Sequence, residues 1–125
     1  MAQYVRDIMT TNLTTVESDD SVTVALKAMR NARMHSVLIL PPRGGRMWRI
    51  FTDTDFLLAI DSGDDPDNIL VGSYASPVTH TARPDWTIEK AMEEMINAGV
   101  KHLPVMDKNG NIIGMVSSTD ILNQY

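Results

Sequence analysis

Cysteine is absent from the 125 residues, which excludes disulfide scaffolds, Cys-ligated zinc and cysteine nucleophiles. Long apolar runs are absent too. The stretch from Phe56 to Ile60 falls far short of the ~20 residues that a membrane-spanning helix needs. The N-terminal stretch Met1-Ala2-Gln3-Tyr4-Val5-Arg6-Asp7 has neither a basic start nor an apolar core, so no signal peptide is expected. With neither signal, the expected location is cytoplasmic, with no membrane partner. Excess positive charge is missing: Lys and Arg number 11 against 16 Asp and Glu, for a formal charge of −5. No nucleic-acid partner is expected, because neutralised phosphates supply most of that affinity. Neither Gly-x-Ser-x-Gly nor a Walker-type Gly-Lys-Ser/Thr occurs, so no nucleophile or phosphate-transfer loop is evident and no enzyme is expected.

What is present is an ordinary globular composition, 43% hydrophobic and 22% charged, in a chain long enough to bury roughly two-thirds of its surface. The chain also repeats itself. Val5 matches Val71, Thr15 matches Thr81, Asp19 matches Asp85, and Ala25, Met29 and Asn31-Ala32 match Ala91, Met95 and Asn97-Ala98, at an offset of 66. Past the next loop Thr54-Asp55 matches Thr119-Asp120 at an offset of 65, so the first copy has one extra loop residue.

The local pattern repeats with it. Ser21 caps a predicted helix with the apolar stripe Val22, Ala25, Leu26 and Met29, and Thr87 caps another with Ile88, Ala91, Met92 and Met95. Gly99 is placed to end the second helix in a left-handed conformation. Strands are predicted at 37–40 and 103–106, Gly/Pro/Asn turns at 41–45 and 107–111, and return strands at 47–51 and 112–116. Helices then begin near Asp55 and Asp120. The order is β-α-β-β-α twice, each behind a short extended opener. Residues 1–62 form the first repeat, 63–70 an acidic linker and 71–125 the second repeat. The linker's four Asp lack the ligand spacing of a calcium loop and read as a solvated connection. Each copy is small for a core of its own, so the two are expected to pack as one module.

Val5-Arg6-Asp7-Ile8-Met9-Thr10, Thr15-Val16, Leu103-Pro104-Val105 and above all Gly114-Met115-Val116-Ser117-Ser118-Thr119-Asp120 resemble the CBS family (cystathionine-β-synthase domains) over nearly the whole chain. The resemblance implies an α+β fold of two tandem β-α-β-β-α repeats packed with pseudo-twofold symmetry, leaving two clefts. It also implies a ligand containing adenosine (AMP, ADP, ATP or S-adenosylmethionine), with Mg accompanying ATP, and a homodimer.

Ser117-x-x-Asp120 and its counterpart Thr52-x-x-Asp55 also fit a helix capping box, and capping and ligand binding can coexist. Free N–H groups at a helix start suit a phosphate, and hydroxyls at Ser117, Ser118 and Thr119 can add hydrogen bonds. The resemblance gives Asp120 and Asp55 the ribose hydroxyls, and turns Lys101 and His102 toward phosphate. A helix-terminal Lys and a part-buried His are the structural alternative. The adenine side is implied to come from the partner repeat's opener. That gives Asp7, Thr10 and Asn12, with Met34 and His35, for the Asp120 cleft, and Ser73, Pro77 and Val78, with Thr52 and Thr54, for a second, Asp55 cleft. Copy one has Arg49 and Asp53 where copy two has Gly114 and Ser118. Arg49 is expected to crowd its cleft or supply a charge partner, and Asp53 to repel phosphate. Occupancy is therefore expected at Asp120. Trp48 and Trp86 are expected to pack or to contact a second chain, and His35, His80 and His102 lack metal-site spacing.

Three functions follow. The first is a regulatory module whose adenine nucleotide biases two arrangements of the protein and signals to an effector protein. The second is a ligand-free dimerisation and docking module. The third, an enzyme, has the least support in the sequence; S-adenosylmethionine or NAD would replace the adenine nucleotide in a variant of the first.

Overall fold

Ser21 and Thr87 stop the backbone in extended conformations, and their hydroxyls accept from the amides of Val24 and Lys90. Each thereby satisfies a donor that the first helical turn leaves open. Helix α2 (Val22–Ala32) buries Val22, Ala25 and Met29, and α4 (Ile88–Ala98) buries Ile88, Ala91 and Met95. Both predicted stripes are thus core faces. Gly99 ends α4 with φ 67°, as its lack of a Cβ allows, whereas Arg33 ends α2 at φ 54° and carries the strain of an L side chain there.

The computed structural model describes residues 3–125. Met1 and Ala2, which open the N-terminal stretch analysed above, lie outside the described residues. The chain divides into two units: Thr14–Val78, and Met1–Leu13 together with Thr79–Tyr125.

In Thr14–Val78 a four-stranded sheet runs β1 (Thr15–Val16), β2 (Ser36–Ile39), β3 (Arg49–Thr52), β4 (Ser76–Pro77), the first pair parallel and the others antiparallel. Met47 and Trp48 fall before β3 rather than within it. Helix α3 (Asp53–Asp61) follows β3 directly, and α2 and α3 pack over a core of Val37, Ile39, Phe51, Ala59 and Val71.

In the second unit β5 (His102–Met106) pairs antiparallel with β6 (Ile112–Ser117), and α5 (Ser118–Leu122) follows. Its edges repeat those of the first sheet in reduced form. Ala82 bridges Val105 in parallel, and Thr10 bridges Met115 antiparallel. The parallel edge of copy one pairs two residues where copy two has this single bridge, and Pro104 explains the contraction. Leu38 donates its amide to the Thr14 carbonyl, but Pro104 stands in the matching place and has no N–H to give.

The openers are exchanged between the sequence repeats. Residues of the N-terminal opener complete the sheet of copy two, while Ser76–Pro77 from the second opener complete the sheet of copy one. Neither opener begins extended, contrary to the sequence expectation. Val5–Ile8 form one helical turn, α1, because the Asp7 carboxylate accepts from the amides of Tyr4 (3.0 Å) and Gln3 (3.2 Å). Val71–Ser73 form a 3-10 turn.

The acidic connection is partly docked. A 3-10 turn, Pro66–Asn68, lies on α2, where Asp67 accepts from the Thr23 hydroxyl at 2.6 Å, and Ile69 is buried while Asp61, Asp64 and Asp65 stay exposed.

Candidate functional site

The Asp120 unit is built around a reciprocal cap. Ser117 ends β6 in an extended conformation, its hydroxyl accepts from the Asp120 amide (3.2 Å), and Asp120 Oδ2 accepts from the Ser117 amide (2.8 Å). The cap engages one carboxylate oxygen. Oδ1 stands outside it, so Asp120 can cap and still accept from a ligand's hydroxyls. Ser118 donates its amide to the Lys101 carbonyl at 2.9 Å, which fixes the start of α5 beside β5. Lys101 is exposed and His102, at the head of β5, is half-buried opposite Ser117.

The opener reaches the same unit. Thr10 and Met115 exchange both backbone hydrogen bonds, at 2.8 and 2.9 Å. Gly114 makes this approach possible: a Cβ there would lie 2.7 Å from Met9 Sδ and 3.1 Å from the Thr10 carbonyl. The two backbone amides on its carboxylate, Tyr4's first, hold Asp7 below the usual carboxylate pKa. Asn12 is exposed two residues beyond Thr10. Asp120, Ser117, Ser118, Thr119, Lys101, His102, Asp7, Thr10 and Asn12 therefore all fall within one unit. Met34 and His35 belong to the other.

The Asp55 unit gathers Asp55, Thr52, Thr54, Ser73, Pro77 and Val78 in the same way. Asp55 Oδ2 accepts from the Thr52 amide (2.8 Å) and hydroxyl (3.1 Å). Pro77 pairs with Arg49, Val78 donates to the Trp48 carbonyl at 2.9 Å, and Ser73 is exposed in the 3-10 turn.

Two differences separate the units chemically. Asp53 Oδ1 accepts from the Thr54 amide at 2.8 Å, and its Oδ2 lies 3.3 Å from His35 Nδ1. The first turn of α3 thus carries an extra carboxylate on an amide that an anion would otherwise use. In the Asp120 unit Ser118 replaces Asp53, and no side chain among the described residues accepts from the Thr119 amide. The second difference is Arg49. Its Nη2 donates to the carbonyls of Gly72 (2.7 Å) and Ala75 (2.8 Å), tying the second opener to β3. Arg49 is thus neither simply crowding nor paired with a charge. Arg6 matches Gly72 and Arg49 matches Gly114, so each unit has one Arg and one Gly at this junction. That alternation was the available signal, and sequence reasoning missed its meaning.

Trp86 is half-buried on its core beneath Lys90, 4.6 Å from the ring centroid. A groove lined by Asp64, Asp65, Asn68, Ile69, Leu70, Ser73 and Tyr74 carries carboxylates that oppose a phosphate. Among the described residues no group of three or more His, Asp or Glu is placed to hold a metal ion, and no helix is long and apolar enough to cross a membrane.

Two small α+β units, each with a strand, a Ser/Thr-x-x-Asp cap and an exchanged opener, make a tandem pair of modules of one fold. The CBS domain matches at residues 5–62 and again at 71–125, and the chain belongs to the CBS domain family as a CBS-domain pair. The CBS domain-containing protein DDB_G0289609 of Dictyostelium discoideum is 30% identical over 133 residues, covering 98% of this chain and 91% of that protein. Uncharacterized protein MK0525 of Methanopyrus kandleri is 30% identical over 94% of this chain but only 57% of its own length. A homoserine O-acetyltransferase of Methanohalobium evestigatum is 33% identical over 94% of this chain and 23% of its own. The chain thus spans little more than half, and less than a quarter, of those last two relatives.

The fold is shared with the CBS-domain pair of MJ0100, solved with 5'-methylthioadenosine and S-adenosyl-L-methionine (TM-score 0.84, 21% identity, 99% and 96% coverage). It is shared equally with PAE2072 of Pyrobaculum aerophilum, complexed with AMP (TM-score 0.84, 16% identity, 97% and 96% coverage).

Proposed function

We propose that this CBS pair is a cytoplasmic regulatory module that binds an adenine nucleotide (AMP, ADP or ATP) at the Asp120 unit. It self-associates as a homodimer and passes its ligand state to an effector protein. Asp120 accepts from the ribose hydroxyls through the oxygen its cap leaves over. Ser117, Ser118, Thr119 and Lys101 take the phosphates, with His102 beside them, and the opener residues Thr10, Asn12 and Asp7 border the base. With ATP, Mg arrives on the phosphates. The module binds without turning its ligand over, so nucleotide recovered after incubation is intact.

The observation that carries this reading is the contrast between the two caps: three neutral hydroxyls, an amide without a side-chain acceptor and Lys101 at Asp120, against Asp53 seated on the Thr54 amide at Asp55. The Asp55 set (Thr52, Thr54, Ser73, Pro77, Val78) is a second, weaker site. The adenosine ligands of PAE2072 and MJ0100 support the ligand class. S-adenosylmethionine is the second reading, favoured by the MJ0100 complex.

A ligand at a hundred times its Kd adds about 2.7 kcal/mol to stability. The test is a thermal-shift panel of AMP, ADP, ATP, NAD and S-adenosylmethionine on the wild type and Asp120→Asn. A rise of several degrees with an adenine nucleotide, lost in Asp120→Asn, is expected. No shift with any compound at millimolar concentration would leave the docking-module reading in its place.

A further inference from the structure

Away from the Asp55 cap, the Thr14–Val78 unit has a groove of about 350 Å³, with Glu17 and Asp19 on one wall and Leu40, Pro41, Pro42 and Arg43 on the other. That volume suits a small molecule. The first wall is the turn after β1 and the second is the start of the hairpin after β2. The groove thus lies beyond the carboxyl ends of two parallel strands, where a β-α-β crossover leaves a crevice. The Asp55 cap stands at the other end of β2, where Ser36 pairs with Thr52.

Both walls are fixed in advance. The Asp20 carboxylate accepts from the Glu17 amide at 2.8 Å, and the Asp20 amide donates to the Glu17 carbonyl at 3.0 Å. Val71 and Gly72 donate to the carbonyls of Asp20 and Ser18, at 2.8 and 2.9 Å. On the second wall Pro41 and Pro42 lock two φ angles. Gly45 then donates to the Pro42 carbonyl at 2.7 Å, across a turn that Gly44 makes at φ 81°. Walls held in place before binding lose little freedom when the groove fills.

The charges on these walls are unused. Among the described residues the side chains of Glu17, Asp19 and Arg43 are in no hydrogen bond or ion pair. Apolar residues separate the two signs. Leu40, 44% exposed, donates its amide to the Val16 carbonyl beside Glu17, and the two prolines carry the chain from there to Arg43. A simple cation would meet Arg43, and a simple anion would meet two carboxylates. We infer that the groove binds a small zwitterion whose ammonium and carboxylate stand at opposite ends of an apolar stem, as the side-chain amine and the carboxylate of free lysine do. The ammonium lies with Glu17 and Asp19, the carboxylate takes the Arg43 guanidinium, and the methylenes cover Leu40 and Pro41. This site does not depend on nucleotide binding.

The experiment is an amide chemical-shift titration of the full chain with ε-aminocaproate. Caproate and hexylamine, which each keep one charge, and leucine, whose two charges are adjacent, are titrated beside it. ε-Aminocaproate is expected to saturate at millimolar concentration and to move amides within 17–20 and 40–45, with each of the other three at least tenfold weaker. Arg43→Gln and Glu17→Gln alter exposed side chains, and each is expected to raise its Kd about threefold, the scale of one exposed ion pair. Asp19→Asn serves in place of either variant that does not fold. No movement within 17–20 and 40–45 overturns the inference, as do shifts confined to the Asp55 or Asp120 caps. So does caproate, hexylamine or leucine binding as tightly as ε-aminocaproate, because the groove then reads one charge or two adjacent ones. Variants that bind like the wild type overturn it equally.

Discussion

Replacing Gly114 with Ala tests how the N-terminal opener is held. The added methyl would sit 2.7 Å from Met9 Sδ, 3.1 Å from Met9 Cγ and 3.1 Å from the Thr10 carbonyl, all inside comfortable van der Waals separation. Met9 can swing aside at the expense of its packing on the core beside Val5 and Leu103. The Thr10 carbonyl cannot, because it accepts from the Met115 amide at 2.9 Å while the Thr10 amide donates back at 2.8 Å. Crowding of this kind costs about 1–3 kcal/mol, which for a chain of this size lowers Tm by roughly 4–12 °C. A double-mutant cycle with Met9→Ala apportions it. Removing the sulfur relieves part of the clash, so the double variant is expected to lose about 1 kcal/mol less than the two single losses combined. Denaturant unfolding measures all four stabilities. A Gly114→Ala protein as stable as the wild type, or strictly additive effects, would refute this account of the junction.

Arg49→Met unties the Gly72 and Ala75 carbonyls and is expected to cost about 1–3 kcal/mol, read as a lowered unfolding midpoint. Arg33→Gly relieves a left-handed backbone at φ 54° and is expected to raise stability by about 0.5–1 kcal/mol, seen as a Tm increase of a few degrees. The lowered pKa of Asp7 comes from the Tyr4 and Gln3 amides, and that of Asp107 first from the Asn111 amide and then from Asn109. Both folded values lie below 3.8, so the stabilisation is present above that pH and is lost as pH falls through the folded values. Asp7→Asn should flatten this acid limb in a Tm-against-pH series, and a variant that parallels the wild type below pH 3.8 would contradict the assignment.

Much of this was legible in the sequence because it is local. Ser21, Thr87 and Gly99 mark helix ends through the backbone donors and conformations they serve, and Thr52-x-x-Asp55 and Ser117-x-x-Asp120 announce caps that the structure contains. The apolar stripes of α2 and α4 are periodic and therefore readable. What stayed hidden is short or non-local. A single bridge at Thr10 or Ala82 has no periodicity, and one helical turn at Val5–Ile8 is too brief to distinguish from an extended opener. Pro104 did contain the reason for the reduced edge strand, but only beside Leu38, whose amide it lacks. The alternation of Arg6 and Gly114 with Gly72 and Arg49 gains its meaning once the openers are known to be exchanged.

The site itself divides along the same line. Asp120 and Asp55 were identified by spacing, and their capping half is now geometric. Their ligand half rests on the family resemblance. The inequality between them was visible as Ser118 against Asp53, yet its mechanism, a carboxylate oxygen on the Thr54 amide, required coordinates.

Calorimetric titration of AMP into the wild type, Asp120→Asn and Asp55→Asn measures the claim at its centre. One AMP per chain is predicted for the wild type, retained by Asp55→Asn and weakened at least tenfold in Asp120→Asn. Equal affinity in the wild type and Asp120→Asn would contradict it.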